Sequence, residues 1–144
     1  ALVDDLFPLA TLITPNIPEA EAILKLTIND ECSLQNAAMH LATRYQVSVL
    51  LKGGHLTTSH SPDIFYDYSQ KKIHRFDTLR INTKNTHGTG CTLSAAIASY
   101  LAQGENLYQA IARAKHYLTQ CILAGKDLRL GHGQGPVDHF YFLR

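Results

Sequence analysis

No run of apolar residues in this chain is long enough to span a membrane, and nothing at its N-terminus reads as a signal peptide. Charge of one sign is scarce too. The 13 Lys and Arg nearly balance the 12 Asp and Glu, and the formal net charge of +1 is dispersed along the chain. That leaves no electrostatic case for nucleic acid or a membrane surface as a partner. Cysteine is sparse: Cys32, Cys91 and Cys121 are odd in number and share no C-x-x-C spacing. A disulfide framework is therefore not expected, and reduced thiols in a cytoplasmic protein are. Eight histidines invite a metal, but none stands at ligand spacing from a cysteine or carboxylate. Repeats and low-complexity segments are absent. So is an initiating Met, and an opening on Ala1-Leu2-Val3-Asp4-Asp5 fits a fragment or processed product.

What is there is one domain's worth of chain, 144 residues with 45% hydrophobic content, enough to bury a real core. Residues 9–13 form a short apolar run before Thr14-Pro15-Asn16 and predict a buried strand. Pro18 suits the first turn of a helix over 18–26, with Glu19 and Glu21 near its positive end. A second helix is expected to start at Ser33 as N-cap, with Leu34, Ala37, Ala38, Leu41, Ala42 and Tyr45 on its apolar face. Residues 47–51 are apolar, continuous and rich in β-branching, as buried parallel strands are. Two shorter strands, 64–68 and 73–76, are joined by a hairpin turn at Ser69-Gln70-Lys71-Lys72. Asn106 caps a later helix with Gln109 at the capping-box position, and Leu107, Ile111, Ala114, Leu118, Cys121 and Ile122 make its stripe. The alternation predicts a single α/β domain over 1–144 with mostly parallel strands flanked by helices.

The most informative stretch is Asn82-Thr83-Lys84-Asn85-Thr86-His87-Gly88-Thr89-Gly90-Cys91-Thr92-Leu93-Ser94-Ala95-Ala96. Leu93, Ala96, Ile97, Tyr100 and Leu101 then recur at helical period, and Gly104 falls where a helix C′ glycine belongs. Glycines ahead of a helix let backbone N–H groups approach an anion at the positive end of the dipole. With the ionisable Cys91 at its lip, such a cradle suits phosphoryl transfer, in which catalysis is mostly positioning and charge stabilisation. The loop lacks the Lys-Ser or Lys-Thr of a Walker A motif and the Gly-x-Gly-x-x-Gly of dinucleotide folds. On the local pattern alone, a glycine turn followed by a small core cysteine is as good a reading.

Two other spots carry chemistry. Asn16 and Glu19 flank a strand end and a helix start, where ligands sit in open parallel sheets; an Asx turn with a dipole-favoured glutamate is the plain alternative. Lys52-Gly53-Gly54 follows a strand, where glycines admit a ligand to the backbone and a lysine neutralises phosphate. The alternative there is an ordinary turn with a solvated lysine.

The stretch from Asn82 to Ala96 resembles the signature of the hydroxymethylpyrimidine/phosphomethylpyrimidine kinases of thiamin biosynthesis, members of the ribokinase-like superfamily. Thr14-Pro15-Asn16-Ile17-Pro18-Glu19-Ala20, Leu51-Lys52-Gly53-Gly54-His55-Leu56 and Gly131-His132-Gly133-Gln134-Gly135-Pro136-Val137-Asp138-His139-Phe140 match in the same order. The resemblance is to the C-terminal half of that family only. It implies ATP and Mg²⁺, with Glu19 near the metal through water and Asn16 beside it, and Lys52 and Gly54 bordering the nucleotide. Lys84 and Thr86 would lie against phosphate or nucleotide. Gly88, Thr89 and Gly90 would donate N–H groups to the transferring phosphoryl, and Cys91 would stand where relatives carry an aspartate base. The Gly131–His139 segment would border the adenine pocket, with no role for a particular residue, and His55 would be an exposed loop histidine. The implied partner is a small pyrimidine, phosphorylated once and then again, with a homodimer in the full-length parent. Residues gripping the pyrimidine belong to the N-terminal half, so the isolated chain is expected to be an inactive fragment. Pyridoxal or pyridoxine kinase is the alternative within the superfamily, and a non-catalytic ligand-binding remnant is the alternative outside it.

Overall fold

The computed structural model describes residues 1–54, 56 and 60–143, so His55 lies outside the described residues. The chain divides into two compact units, Ala1–Leu79 and Arg80–Arg144.

The first unit opens with a single wide turn at Leu2–Leu6 and a 3₁₀ turn at Phe7–Leu9, and only then reaches strand β1, Leu12–Ile13. The strand expected over 9–13 is shortened from its front. Pro8 sits in the first turn of the 3₁₀ segment, and Leu9 is 81% exposed at its end. Helix α1, Ile17–Leu24, has Asn16 as N-cap and Pro18 in its first turn, and ends on Lys25 in the left-handed conformation. Helix α2, Glu31–Tyr45, is capped by Asp30 rather than Ser33. Asp30 Oδ1 accepts the Ser33 N–H at 2.7 Å, and Ser33 Oγ accepts the Asp30 N–H at 3.1 Å. Ser33 is thus the third helical residue of a reciprocal box, a role its hydroxyl can fill in place of the usual Glu or Gln.

Strands β2 (Ser48–Lys52), β3 (Asp63–Asp67) and β4 (Lys72–Phe76) complete a four-stranded sheet in the order β1-β2-β3-β4. Only β1 and β2, linked through α1 and α2, are parallel; β2–β3 and β3–β4 are antiparallel. The α/β class holds, and the hairpin makes the sheet mixed instead of mostly parallel. All six residues expected on the apolar face of α2 are buried, packed against Val49, Leu51, Ile64 and Tyr66. Leu34 and Leu41 are fully buried, each worth about 1.5–3 kcal/mol of transfer free energy. Leu50 and Phe65, paired across β2 and β3, alternate to the other face and are fully buried as well.

The second unit is an αα-hairpin with a long tail. Helix α3, Thr89–Ala102, turns through Gly104 (φ 92°) into α4, Leu107–Gly125, where Asn106 Oδ1 accepts the Gln109 N–H at 2.9 Å. Leu93 and Ile97 of α3 and Ala110, Ile111, Ala114 and Cys121 of α4 are buried. Cys121 is a core residue as its place in the stripe implies. No described helix is long and apolar enough to cross a membrane.

Candidate active site

In the first unit the chemistry gathers at the C-terminal ends of β1 and β2. Asn16 bridges to Lys52 in parallel register, and the Lys52 N–H donates to the Pro15 carbonyl at 2.9 Å. Asn16 and Glu19 form a complete capping box: Asn16 Oδ1 accepts the Glu19 N–H at 2.9 Å, and Glu19 Oε2 accepts the Asn16 N–H at 2.8 Å. The exposed Glu19 side chain thereby has one oxygen committed to the helix start, and among the described residues the other has no hydrogen-bond partner and can take a further ligand. That suits Mg²⁺, which keeps several waters and takes one or two carboxylates; among the described residues no group of three His, Cys, Asp or Glu forms a denser cage. Gly53 follows with its N–H donated to buried Asp63 Oδ1 at 2.9 Å. A Cβ on Gly53 would fall 1.9 Å from the Pro62 carbonyl oxygen, so only glycine fits. Gly54 is exposed in the turn beyond, where an added Cβ would lie 3.6 Å from Ser61 Oγ, an ordinary contact.

In the second unit the site is the loop before α3. Its base is Asn85, buried and aimed away from solvent. Its amide donates to the carbonyls of Gly125 and Leu128, both at 2.7 Å, and so ties off the C-terminal end of α4. Thr83 Oγ donates to the Lys126 carbonyl at 2.9 Å and accepts the Asn85 N–H at 3.0 Å. Lys84 and Thr86 are exposed on the outer side of this loop. The His87 N–H donates to the Gly135 carbonyl at 3.1 Å, which lays the tail alongside the loop.

Gly88 is the N-cap of α3 at φ 83°, a left-handed conformation that disfavours any side chain. Its carbonyl accepts two bonds of 2.8 Å from Thr92, one from N–H and one from the hydroxyl. The Thr89 N–H turns back to the Thr86 carbonyl at 3.3 Å. Of the donors expected from Gly88, Thr89 and Gly90, that of Thr89 is thus occupied. The first-turn amides of Gly90 and Cys91 have no backbone acceptor among the described residues and are the donors best placed for an anion. Cys91 is exposed, beside a pocket of about 540 Å³ whose walls include Thr92, Tyr100, Tyr117 and His139. Burial, with the Cys121 thiol hydrogen-bonded beside it, pushes the Tyr117 hydroxyl up to about 12; it stays protonated and donates to the His139 carbonyl at 3.0 Å. His139 Nε2 lies 2.8 Å from Thr92 Oγ.

Within the first unit, then, Asn16, Glu19 and Lys52 come together with Gly54 close by. Within the second, Gly88, Thr89, Gly90 and Cys91 form one turn, with Lys84 and Thr86 just outside it. Asn85, Thr92 and His139 carry no expected role in the sequence reading. The side-chain bonds from Asn85 to the Gly125 carbonyl and between His139 and Thr92 span 40 and 47 residues, and no local pattern marks them.

The family model for phosphomethylpyrimidine kinase matches residues 1–138. Over 138 residues the chain is 53% identical to the thiamine biosynthesis bifunctional protein ThiED of Geobacter sulfurreducens, covering 96% of this chain and 27% of that protein. It is 43% identical over 142 residues to the hydroxymethylpyrimidine/phosphomethylpyrimidine kinase of Rhizobium meliloti, covering 98% and 53%. Among solved structures, an ADP complex of Bacillus subtilis pyridoxal kinase superposes with a TM-score of 0.89 at 31% identity, over 99% of this chain and 52% of that one. A phosphomethylpyrimidine kinase from Clostridium difficile superposes with a TM-score of 0.68 at 34% identity, over 84% and 47%. The chain spans about half the length of such relatives, and less of the bifunctional one. With the glycine turn, the exposed Cys91 and the capping box at Glu19 in place, and the match running through nearly every residue, the chain belongs to the phosphomethylpyrimidine kinase family.

Proposed function

We propose that residues 1–144 are the C-terminal, nucleotide-binding and catalytic part of a ribokinase-like kinase that phosphorylates hydroxymethylpyrimidine and then its monophosphate from ATP. The observation that carries this reading is the left-handed turn at Gly88, which opens α3 with Cys91 exposed and the Gly90 and Cys91 amides without a backbone acceptor among the described residues. In the proposed step the substrate hydroxyl oxygen bonds to the γ-phosphorus of ATP as the bond to the bridging β–γ oxygen breaks and ADP leaves. Cys91, as thiolate, accepts the hydroxyl proton. The Gly90 and Cys91 N–H groups, with Gly88 shaping the turn, stabilise charge on the equatorial oxygens. Mg²⁺ supplies charge neutralisation on the phosphates, and Glu19 would hold it through water, with Asn16 holding Glu19. Lys52, Gly54, Lys84 and Thr86 are assigned to the nucleotide. The reading carries with it a cytoplasmic setting, a small-molecule partner and a homodimer of the intact polypeptide.

Identity of 43% to a hydroxymethylpyrimidine/phosphomethylpyrimidine kinase and 53% to a thiamine biosynthesis bifunctional protein, against 31% to pyridoxal kinase, supports the pyrimidine substrate, whereas the higher TM-score with pyridoxal kinase favours the second substrate. The test is a radiolabelled ATP assay on the intact polypeptide carrying this sequence, with hydroxymethylpyrimidine, its monophosphate and pyridoxal side by side. Mono- and diphosphate products from the pyrimidine are expected. Turnover of pyridoxal alone would move the assignment to the vitamin B6 substrate. ATP binding with no transfer would favour the ligand-binding remnant.

A further inference from the structure

The tail residue His139 makes a bond whose proton can be assigned. Thr92 has one hydroxyl proton and sits between two partners at 2.8 Å, the Gly88 carbonyl and His139 Nε2. A carbonyl only accepts, so with both contacts made as hydrogen bonds the hydroxyl proton goes to Gly88 and Nε2 carries a proton and donates. The result is a one-way chain, from His139 Nε2–H to Thr92 Oγ–H to the Gly88 carbonyl. Each bond polarises the next. The same carbonyl also receives the Thr92 N–H at 2.8 Å, which fixes the plane of the Gly88–Thr89 peptide. That peptide leads directly into the Gly90 and Cys91 amides.

The main chain that carries this exposed ring is held in place. Tyr117 donates to the His139 carbonyl at 3.0 Å, and the Asp138 N–H donates to the Cys121 carbonyl at 3.0 Å. Gly125 admits the tail so closely that a Cβ there would be 2.8 Å from the Asp138 nitrogen. Thus α4 fixes the backbone from which the His139 side chain reaches Thr92 of α3.

We propose that His139 is a positioning residue for phosphoryl transfer: as an Nε2–H donor it locks Thr92 onto the Gly88 carbonyl and so aims the Gly90–Cys91 turn. The catalytic part of this inference rests on the kinase reading above, and the proton assignment does not. In the intact polypeptide, ¹⁵N NMR of histidine-labelled protein identifies the His139 ring as the signal lost in His139→Gln. Protonated Nε2 is expected, and a ring protonated on Nδ1 only would overturn the proposal. His139→Ala is expected to lower kcat about 10-fold, as a small misplacement of reacting groups does, with the KM for ATP within about 2-fold. His139→Gln, whose amide can still donate, should recover most of that loss. A wild-type kcat in the alanine variant, or a glutamine variant no better than alanine, would overturn the proposal. Thr92→Val keeps the volume and removes the relay, and it serves if His139→Ala does not fold; the same loss of kcat is expected. Should the unaltered polypeptide transfer no phosphate to any substrate, the kinase reading fails. The ring protonation and the exchange rate of the Thr92 amide, expected about 10-fold faster in His139→Ala, then decide the positioning chain by themselves.

Discussion

Cys91 stands exposed in the first turn of α3 while Cys32 is exposed on α2 and Cys121 is buried in α4, so the three thiols are chemically distinct. In the intact polypeptide, Cys91→Ala is expected to lower kcat about 100-fold with nucleotide affinity little changed, the scale of losing a general base. Cys32→Ala should keep full turnover, and a Cys91→Ala enzyme of normal rate would reduce that thiol to a surface group. Glu19 has two jobs that a substitution can separate. Glutamine preserves the capping-box acceptor and removes the charge, so Glu19→Gln should keep its melting temperature yet need more Mg²⁺ for half-maximal rate. An unchanged Mg²⁺ titration would take Glu19 out of the metal's surroundings. Gly53 and Gly88 are both required, for different reasons. At Gly88 a Cβ meets nothing within 4 Å, so Gly88→Ala costs only the left-handed backbone, about 1–2 kcal/mol. At Gly53 the Pro62 carbonyl occupies the space, and Gly53→Ala must displace backbone.

Elements are joined here by single polar side chains. The β3–β4 turn is organised by Asp67, whose Oδ1 accepts the Ser69 hydroxyl at 2.7 Å and the N–H groups of Ser69 and Gln70 at 2.9 and 3.1 Å. Burial works against the Asp67 carboxylate, but these hydrogen bonds together outweigh it and hold the group below its ordinary value of 3.8. Its stabilising contribution is therefore full above that value and is lost as pH falls through the lower folded one. The wild-type protein should melt higher than Asp67→Asn at neutral pH, and the gap should close as pH falls below the ordinary carboxylate value. A gap independent of pH would show the turn indifferent to the charge. At the far end of the second unit, Asn85→Ala would strand two carbonyls of the α4 terminus, a loss of about 1–3 kcal/mol for buried polar groups left unpaired. Gly135 is tied to the same side chain, since a Cβ on it would lie within bonding distance of Asn85 Oδ1. Thermal melts of Asn85→Ala and Gly135→Ala measure the junction.

At the scale of the molecule, β1 is the terminal strand of the sheet among the described residues, only two residues long and paired on one side. An open edge of this kind is a surface for further strand pairing. The chain also spans about half the length of its kinase relatives. The 144 residues alone are expected to give no pyrimidine phosphate and to self-associate in a sedimentation experiment. Fusion behind the N-terminal half of a relative should restore turnover. A monomeric 144-residue chain that phosphorylates the pyrimidine unaided would overturn this expectation.

Local physics made much of this protein legible in its sequence. The apolar face of α2, the hairpin at 69–72, the Asn106 cap, the glycine end at 104 and the buried Cys121 follow from periodicity and capping within a few residues, and the structure bears them out. The errors are local as well, where two residues could serve one role: Asp30 took the cap expected of Ser33, and Pro8 turned the chain before β1 could begin. The glycine-cysteine loop and the Asn16–Glu19 pair were likewise readable, since each is one turn of chain. Only the tertiary structure decided how the loop is held. Asn85 reaches 40 residues to Gly125, and His139 reaches 47 residues back to Thr92. A side chain's local sequence does not specify a partner that chain folding brings from that far away. Hydrogen bonding is short-ranged in space and indifferent to distance along the chain, so these partners become definite only once α3, α4 and the tail have packed.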